Sequence, residues 1–226
     1  MPDRCPVDYL AAQGAQRVLV ERCSRGSLPD LLWLLEHPPT ITWGSSGGRD
    51  HLLSCEEDLR ARGISLCRSE RGGDVTFHEP GQLVGYPIVD LGRPADRDLY
   101  AYLRRVEEGI LLYLSGLGLR GTRVPGRTGV WIEGRPFRKI AAMGVRARRW
   151  ITSHGFALNV ENELSGFDLI VPCGIHDADV TSVARELGGK APAWENVLSD
   201  IHSAMQAALG RPLRMVVGGE GLELAR

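Results

Sequence analysis

GVWIEGRPFRKIAAMGVRARRWITSHGFALNVENELSGFDLIVPCGI, residues 129–175, is the stretch on which the reading of this chain turns. It reads as strands at 129–133, 138–145 and 149–158, the first two joined by a Gly-first hairpin turn at Gly134-Arg135. It also holds one lysine at the head of an apolar run, one histidine before a glycine and an aromatic, and one cysteine between a proline and a glycine. Those are the parts of an acyl-transfer site.

Upstream, Asp98 is an N-cap for the strongest helix in the chain. Leu99, Tyr102, Leu103, Val106, Ile110, Tyr113, Leu114 and Leu117 recur at i, i+3, i+4, i+7 spacing. Before it, Asp74–Phe77 and Gln82–Val89 alternate like strands, and the Arg71-Gly72-Gly73 turn can bring backbone N–H groups close to a ligand. A helix pattern covers 7–25, and LLWLLEH (31–37) and Thr40–Trp43 read as strands around Pro38-Pro39. Ser54 with Glu57 fits a capping box for a short helix over 55–62, followed by a strand at 64–68.

Downstream, 162–167 reads as a short helix or turn, 169–175 as a loop and 179–183 as irregular. Ala193–Leu209 forms a last amphipathic helix closed by Gly210, and the Gly-rich tail 211–226 stays unassigned. A further strand at 120–124 completes the set. Strands clustered between long helices predict an α+β fold, with mixed or antiparallel sheets flanked by helices.

The chain has 226 residues, 43% of them hydrophobic, enough for one core, so 1–226 is expected to form a single domain. A formal net charge of −1 offers no global attraction to nucleic acid or to an anionic membrane. No window approaches the roughly 20 consecutive apolar residues of a membrane span, and no basic-plus-apolar leader opens the sequence. The expectation is a soluble, cytoplasmic protein. Five cysteines, odd in number and without a CxxC, argue for reduced thiols rather than a disulfide framework or a zinc site.

Of 27 basic residues only Lys139 and Lys190 are lysines. Arginine does not release its proton and lysine does, so a lysine at the head of IAAMGV suits a base or a tunable cation. An edge-strand lysine that discourages aggregation is the blander alternative. Simple alternation puts Ile140 and Ala142 on one face of the strand and Lys139, Ala141 and Met143 on the other.

Cys173 in VPCGI is by residue type more often a small buried hydrophobe than a nucleophile, but the flanking Pro172 and Gly174 can lift its thiol out of the core. His78 is either a turn-capping group or a site residue, and His154 either a satisfied half-buried imidazole or a ligand contact beside Gly155. Cys173, His176 and Asp177 form a C-x-x-H-D cluster without a second ligand pair, so no metal is expected. No phosphate-binding or dinucleotide motif supports a nucleotide cofactor.

Taken together, RGGDVTFHEPGQLVGYPIVDL, the GVW and KIAAMGV segments, HGFALNV and PCGI resemble the octanoyltransferases of lipoate biosynthesis, within the lipoate and biotin protein ligase-like superfamily. The resemblance runs from EHPPTITWG (36–44) through the 173–176 loop. It implies transfer of an octanoyl group from acyl carrier protein to the Cys173 thiol and then to a lysine of a lipoyl domain. Such domains belong to 2-oxoacid dehydrogenase complexes and the glycine cleavage H protein. It implies Lys139 as partner of Cys173, and no cofactor.

By the same matching, Arg71, Gly72, Gly73, Asp74, Val75, Thr76, Phe77 and His78 line the acyl tunnel. Ala142, Met143, Gly144, His154, Gly155, Phe156 and Ala157 form its walls. Small residues suit a narrow slot, and backbone N–H groups at Gly174 or at Gly72-Gly73 are candidates for the oxyanion hole. Asp74 and Glu79 depart from the family pattern. An ATP-dependent ligase on the same fold, a thioesterase and a non-catalytic carrier-protein binding module are the competing readings.

Overall fold

A computed structural model describes residues 4–171 and 177–226. Helix α1 (Tyr9–Ser24) begins at Asp8, whose carboxylate accepts the Ala11 N–H at 2.8 Å. Strand β1 (Leu31–Leu35) follows. Its unbroken apolar run means that both faces are covered: Leu32 and Leu34 enter one core, Leu31, Trp33 and Leu35 another.

Among the described residues a main sheet runs β11 (Arg214–Val217), β1, β5 (Gln82–Ile88), β9 (Ile151–Asn159), β8 (Arg138–Arg148), β7 (Arg127–Ile132), β6 (Gly121–Val124). The pairs are antiparallel except that β11 lies parallel to β1. Helices α3 (Leu99–Gly116) and α5 (Trp194–Leu209) pack on one face over a core that includes Leu83, Ile140, Ala141 and Leu158. On the other face α1 and α6 (Glu220–Leu224) cover Trp33, Val84, Tyr86 and Ala157. A smaller sheet, β3 (Ser65–Arg68), β2 (Thr40–Trp43), β4 (Val75–His78), holds a third core with Ile41, Phe77, Phe167 and Ile170. This is the expected α+β architecture.

Five local expectations change. Helix α2 (Glu56–Ala61) starts at Cys55, without a side-chain cap, rather than in a capping box from Ser54. Gly134 stays out of the left-handed region and sits in a longer loop containing a cis Arg135-Pro136 bond, so the Gly-first hairpin turn is absent. The tight turn lies one hairpin later: Arg149 and Trp150, at φ 52° and 65°, connect Arg148 to its partner Ile151, within what the sequence reads as strand. Residues 179–183 are not irregular, because β10 (Asp179–Val180) adds to β8 and α4 (Val183–Glu186) follows. The tail contributes β11 and α6.

The register of β8 matters most. Val130 pairs with Ala141 but Trp131 with Lys139, so Ile140 is the extra residue of a bulge. Ile140 and Ala141 therefore both enter the core under α3 and α5, and Lys139 and Ala142 both face the opposite side. Simple alternation had separated those two.

Candidate active site

The opposite side is hollow. A cavity of about 450 Å³ lies between the main sheet, the small sheet and α1. Its walls come from Ala142, Met143 and Gly144 of β8, His154 through Ala157 of β9, and Val84 and Tyr86 of β5. Tyr9, Arg71, Gly73, Asp74, Thr76 and His78 close it. A second space of about 290 Å³ continues it through the shared residues Thr76, Ala142 and Ala157 to Lys139, Gln82 and Asn159. The result is one slot, apolar along its length, with Lys139 at one end and His154 at the other.

Lys139 is not an edge lysine. Its strand is flanked by β7 at Trp131 and by β10 at Val180, and its carbonyl accepts the Thr181 N–H at 2.9 Å. Its side chain is 7% exposed, with the ammonium 4.7 Å from the centroid of the Trp131 ring. Beside it, Gln82 donates to Asn159 Oδ1 at 2.9 Å and to the Phe77 carbonyl at 3.1 Å.

Since the amide of Gln82 donates there, its oxygen accepts from His78 Nδ1 at 2.8 Å, which makes His78 the Nδ1–H tautomer. Burial, reinforced by nearby His37, holds His78 well below the usual imidazole range, so it works as a neutral ring. Behind it His37 donates from Nδ1 to the Val7 carbonyl at 2.5 Å and accepts the Tyr86 O–H at 2.7 Å; burial pulls it down to about 4.

Strand β4 splits the residues expected to line the tunnel. Thr76 and His78 face the slot, whereas Val75 and Phe77 point into the third core. Gly72 donates its N–H to the Val145 carbonyl at 3.0 Å, so that group is committed to fixing the 71–73 turn on β8 rather than free for an oxyanion. Arg71 is buried and donates to the Thr42 carbonyl at 2.9 Å and hydroxyl at 3.0 Å. The turn also explains Gly144, where a Cβ would strike the Gly72 carbonyl and the Arg71 stem. At Gly155 it would strike the Gly85 carbonyl. Those two glycines are small because protein already occupies the space.

The two departures have partners. Asp74 pairs with His51 Nδ1 at 2.5 Å. Glu79 accepts from Asn162 Nδ2 at 2.9 Å and from the N–H of Leu164 at 3.0 Å, while Pro80 and Gly81 (φ 87°) make a type II turn closed by Gln82 N–H to Glu79 O at 3.1 Å.

Cys173 lies outside the described residues. Of the other cysteines, Cys5 and Cys55 are exposed, and burial pushes the thiols of Cys23, to about 11, and Cys67 upward. None of the four lines the slot. Reading the sequence misses Tyr9, Val84, Tyr86, Gln82 and Asn159. The last two carried a usable signal, being polar residues inside buried apolar runs.

Residues 8–206 match the family model described as lipoyl protein ligase A/B catalytic domain. The chain is 50% identical over 192 residues to an octanoyltransferase of Chloroflexus aurantiacus, covering 84% of this chain and 85% of that one. It is 49% identical over 207 residues to an octanoyltransferase of Rubrobacter xylanophilus, covering 90% of each. Its fold superposes on a bi-partite lipoate protein ligase from Thermoplasma acidophilum with TM-score 0.75 at 16% identity, covering 98% of this chain and 87% of that one. A lipoate-protein ligase A bound with ATP gives TM-score 0.75 at 17% identity, covering 98% and 89%.

Proposed function

Because the chain belongs to the lipoyl protein ligase A/B catalytic domain family, in its octanoyltransferase branch, we propose that it moves octanoyl groups onto lipoyl domains. The donor is octanoyl acyl carrier protein. The Cys173 thiolate attacks the thioester carbonyl, the carrier thiolate leaves and takes a proton, and an octanoyl-Cys173 thioester remains. The ε-amine of a lipoyl-domain lysine then attacks that thioester, Cys173 leaves as the thiolate, and the new amide sheds its proton.

Exchange of one thioester for another is nearly balanced, and conversion to an amide runs downhill. The proposal therefore needs no nucleotide and no metal. Lys139 is the proton partner: as ammonium it stabilises the thiolate, and as amine it accepts the proton lost by the attacking lysine. The observation that carries this reading is a buried lysine closing one end of a slot built from Ala142, Ala157 and neighbouring apolar groups. The acceptors are lipoyl domains of 2-oxoacid dehydrogenase complexes and the glycine cleavage H protein, and the site of action is the cytoplasm.

Fold alone does not separate this from ATP-dependent ligation, because the superposable structures are ligases. Intact-mass spectrometry does. Incubation with octanoyl carrier protein should add one octanoyl group, lost in Cys173→Ala and discharged by a lipoyl domain. Modification only from free octanoate with ATP would replace the proposal with a ligase. Rapid discharge in buffer would indicate a thioesterase, and no adduct a binding module. Lys139→Arg should lower turnover by about 100-fold or more despite keeping the charge.

A further inference from the structure

At the far end of the slot stands His154. It is the one residue that lines both the apolar cavity and a second cavity of about 470 Å³ beyond it. That second space has a different chemistry, being walled by Gln13, Gln16, Arg17, Glu70, Arg146 and Arg148. The partition between them is therefore one imidazole thick.

How that imidazole is held is unusual. His154 sits at φ 56° in the middle of β9, a left-handed conformation rare for a non-glycine residue within a strand. The kink is fixed from α1, where Gln16 Oε1 accepts the His154 N–H at 2.7 Å, and the ring meets Tyr86 edge-on at 6.0 Å between centroids. The side chain is 3% exposed, and its Nδ1 has no hydrogen-bond partner among the described residues; nor has Nε2 of Gln16, which is 2% exposed. Two buried polar atoms thus stand where the apolar slot stops.

We propose that His154, positioned by Gln16, is the residue that sets acyl-chain length. It does so in two ways. The ring blocks the slot, and the polar atoms behind it make the second cavity a poor place for hydrocarbon, because a methylene pushed there would displace water from groups it cannot satisfy. From Lys139 to Val145, the residue paired with His154, β8 advances by six residues, one of them taken up by the bulge, so the slot is about 16 Å from end to end. A chain held at its carbonyl near Lys139 has a fixed length in which to end.

This inference rests on the acyl-transfer reading, and the test separates the two. Purified protein and its variants are incubated with carrier proteins bearing six-, eight-, ten-, twelve- and sixteen-carbon acyl groups, and transfer to a lipoyl domain is followed by mass. The full-length wild type should prefer eight carbons. His154→Ala and His154→Gly should raise the ratio of twelve-carbon to eight-carbon transfer by about tenfold or more, since single methylenes in a fitted pocket change selectivity on that scale. Gln16→Ala should move it in the same direction by less, and His154→Asn, which tolerates the left-handed backbone and stays polar, should keep the wild-type profile. A twelve-to-eight ratio within twofold of wild type in active His154→Ala or Gln16→Ala would overturn the ruler. No transfer from any donor by the wild type would instead overturn the acyl-transfer reading.

Discussion

Strands β8 and β9 have two faces that could hardly differ more. Toward α3 and α5 they present Ile140, Ala141, Phe156 and Leu158 to a filled core; toward α1 and the small sheet they present Ala142, Gly144, Gly155 and Ala157 to a slot. The same backbone thus serves as scaffold on one side and as site on the other. The filled face resists deformation, and so the hollow face keeps its width without side chains of its own to prop it open.

The largest break in that comparison is expected on the filled face. Leu158→Ala should cost about 2–5 kcal/mol of folding stability by chemical denaturation, with activity per folded molecule retained. If the loss is below about 1 kcal/mol, the filled face is not the scaffold.

Acid probes the buried imidazoles that edge the hollow side. His37 falls to about 4 and His154 to about 3 in the fold, both chiefly through burial, with the charges of Arg71, Arg146 and Arg17 adding to the effect on His154. The unfolded chain therefore binds protons that the native state does not, and stability is full above about pH 6.5 and declines as pH falls toward 4. His37 alone accounts for about 3 kcal/mol over that window, so His37→Gln should flatten the stability profile between pH 6.5 and 4. An unchanged slope would show that His37 titrates normally in the fold.

The smallest expected effect on stability comes from filling the slot. Ala142→Leu should change folding by less than about 1 kcal/mol, because the added atoms enter empty space. Octanoyl transfer should nevertheless fall by about 100-fold, equivalent to about 2.7 kcal/mol in the barrier. Normal single-turnover acylation in that variant would move the acyl group elsewhere.

Much of this was legible in the chain itself. The amphipathic helices α3 and α5 declared themselves through 3.6-residue periodicity, the β strands through short apolar runs, and Lys139 through the scarcity of lysine. The shifted positions share a cause. The Ile140 bulge, the two-residue β10 and the left-handed Arg149-Trp150 turn are decided by what neighbouring strands require, and local sequence carries little trace of a partner far away along the chain. Val75 and Phe77 look identical in kind to Thr76 and His78 until a third core claims two of the four.

The amino-acid sequence by itself determined the element types, the α+β class and the small residues along one edge of the strands, because periodicity and side-chain volume are local properties. Only the tertiary structure decided that Lys139 and Ala142 share a side, that Gly144 makes room for Arg71 rather than for a ligand, and that His154 stands between two cavities. Each of those depends on register and on close approach between distant segments, and such contacts exist only once the chain has packed.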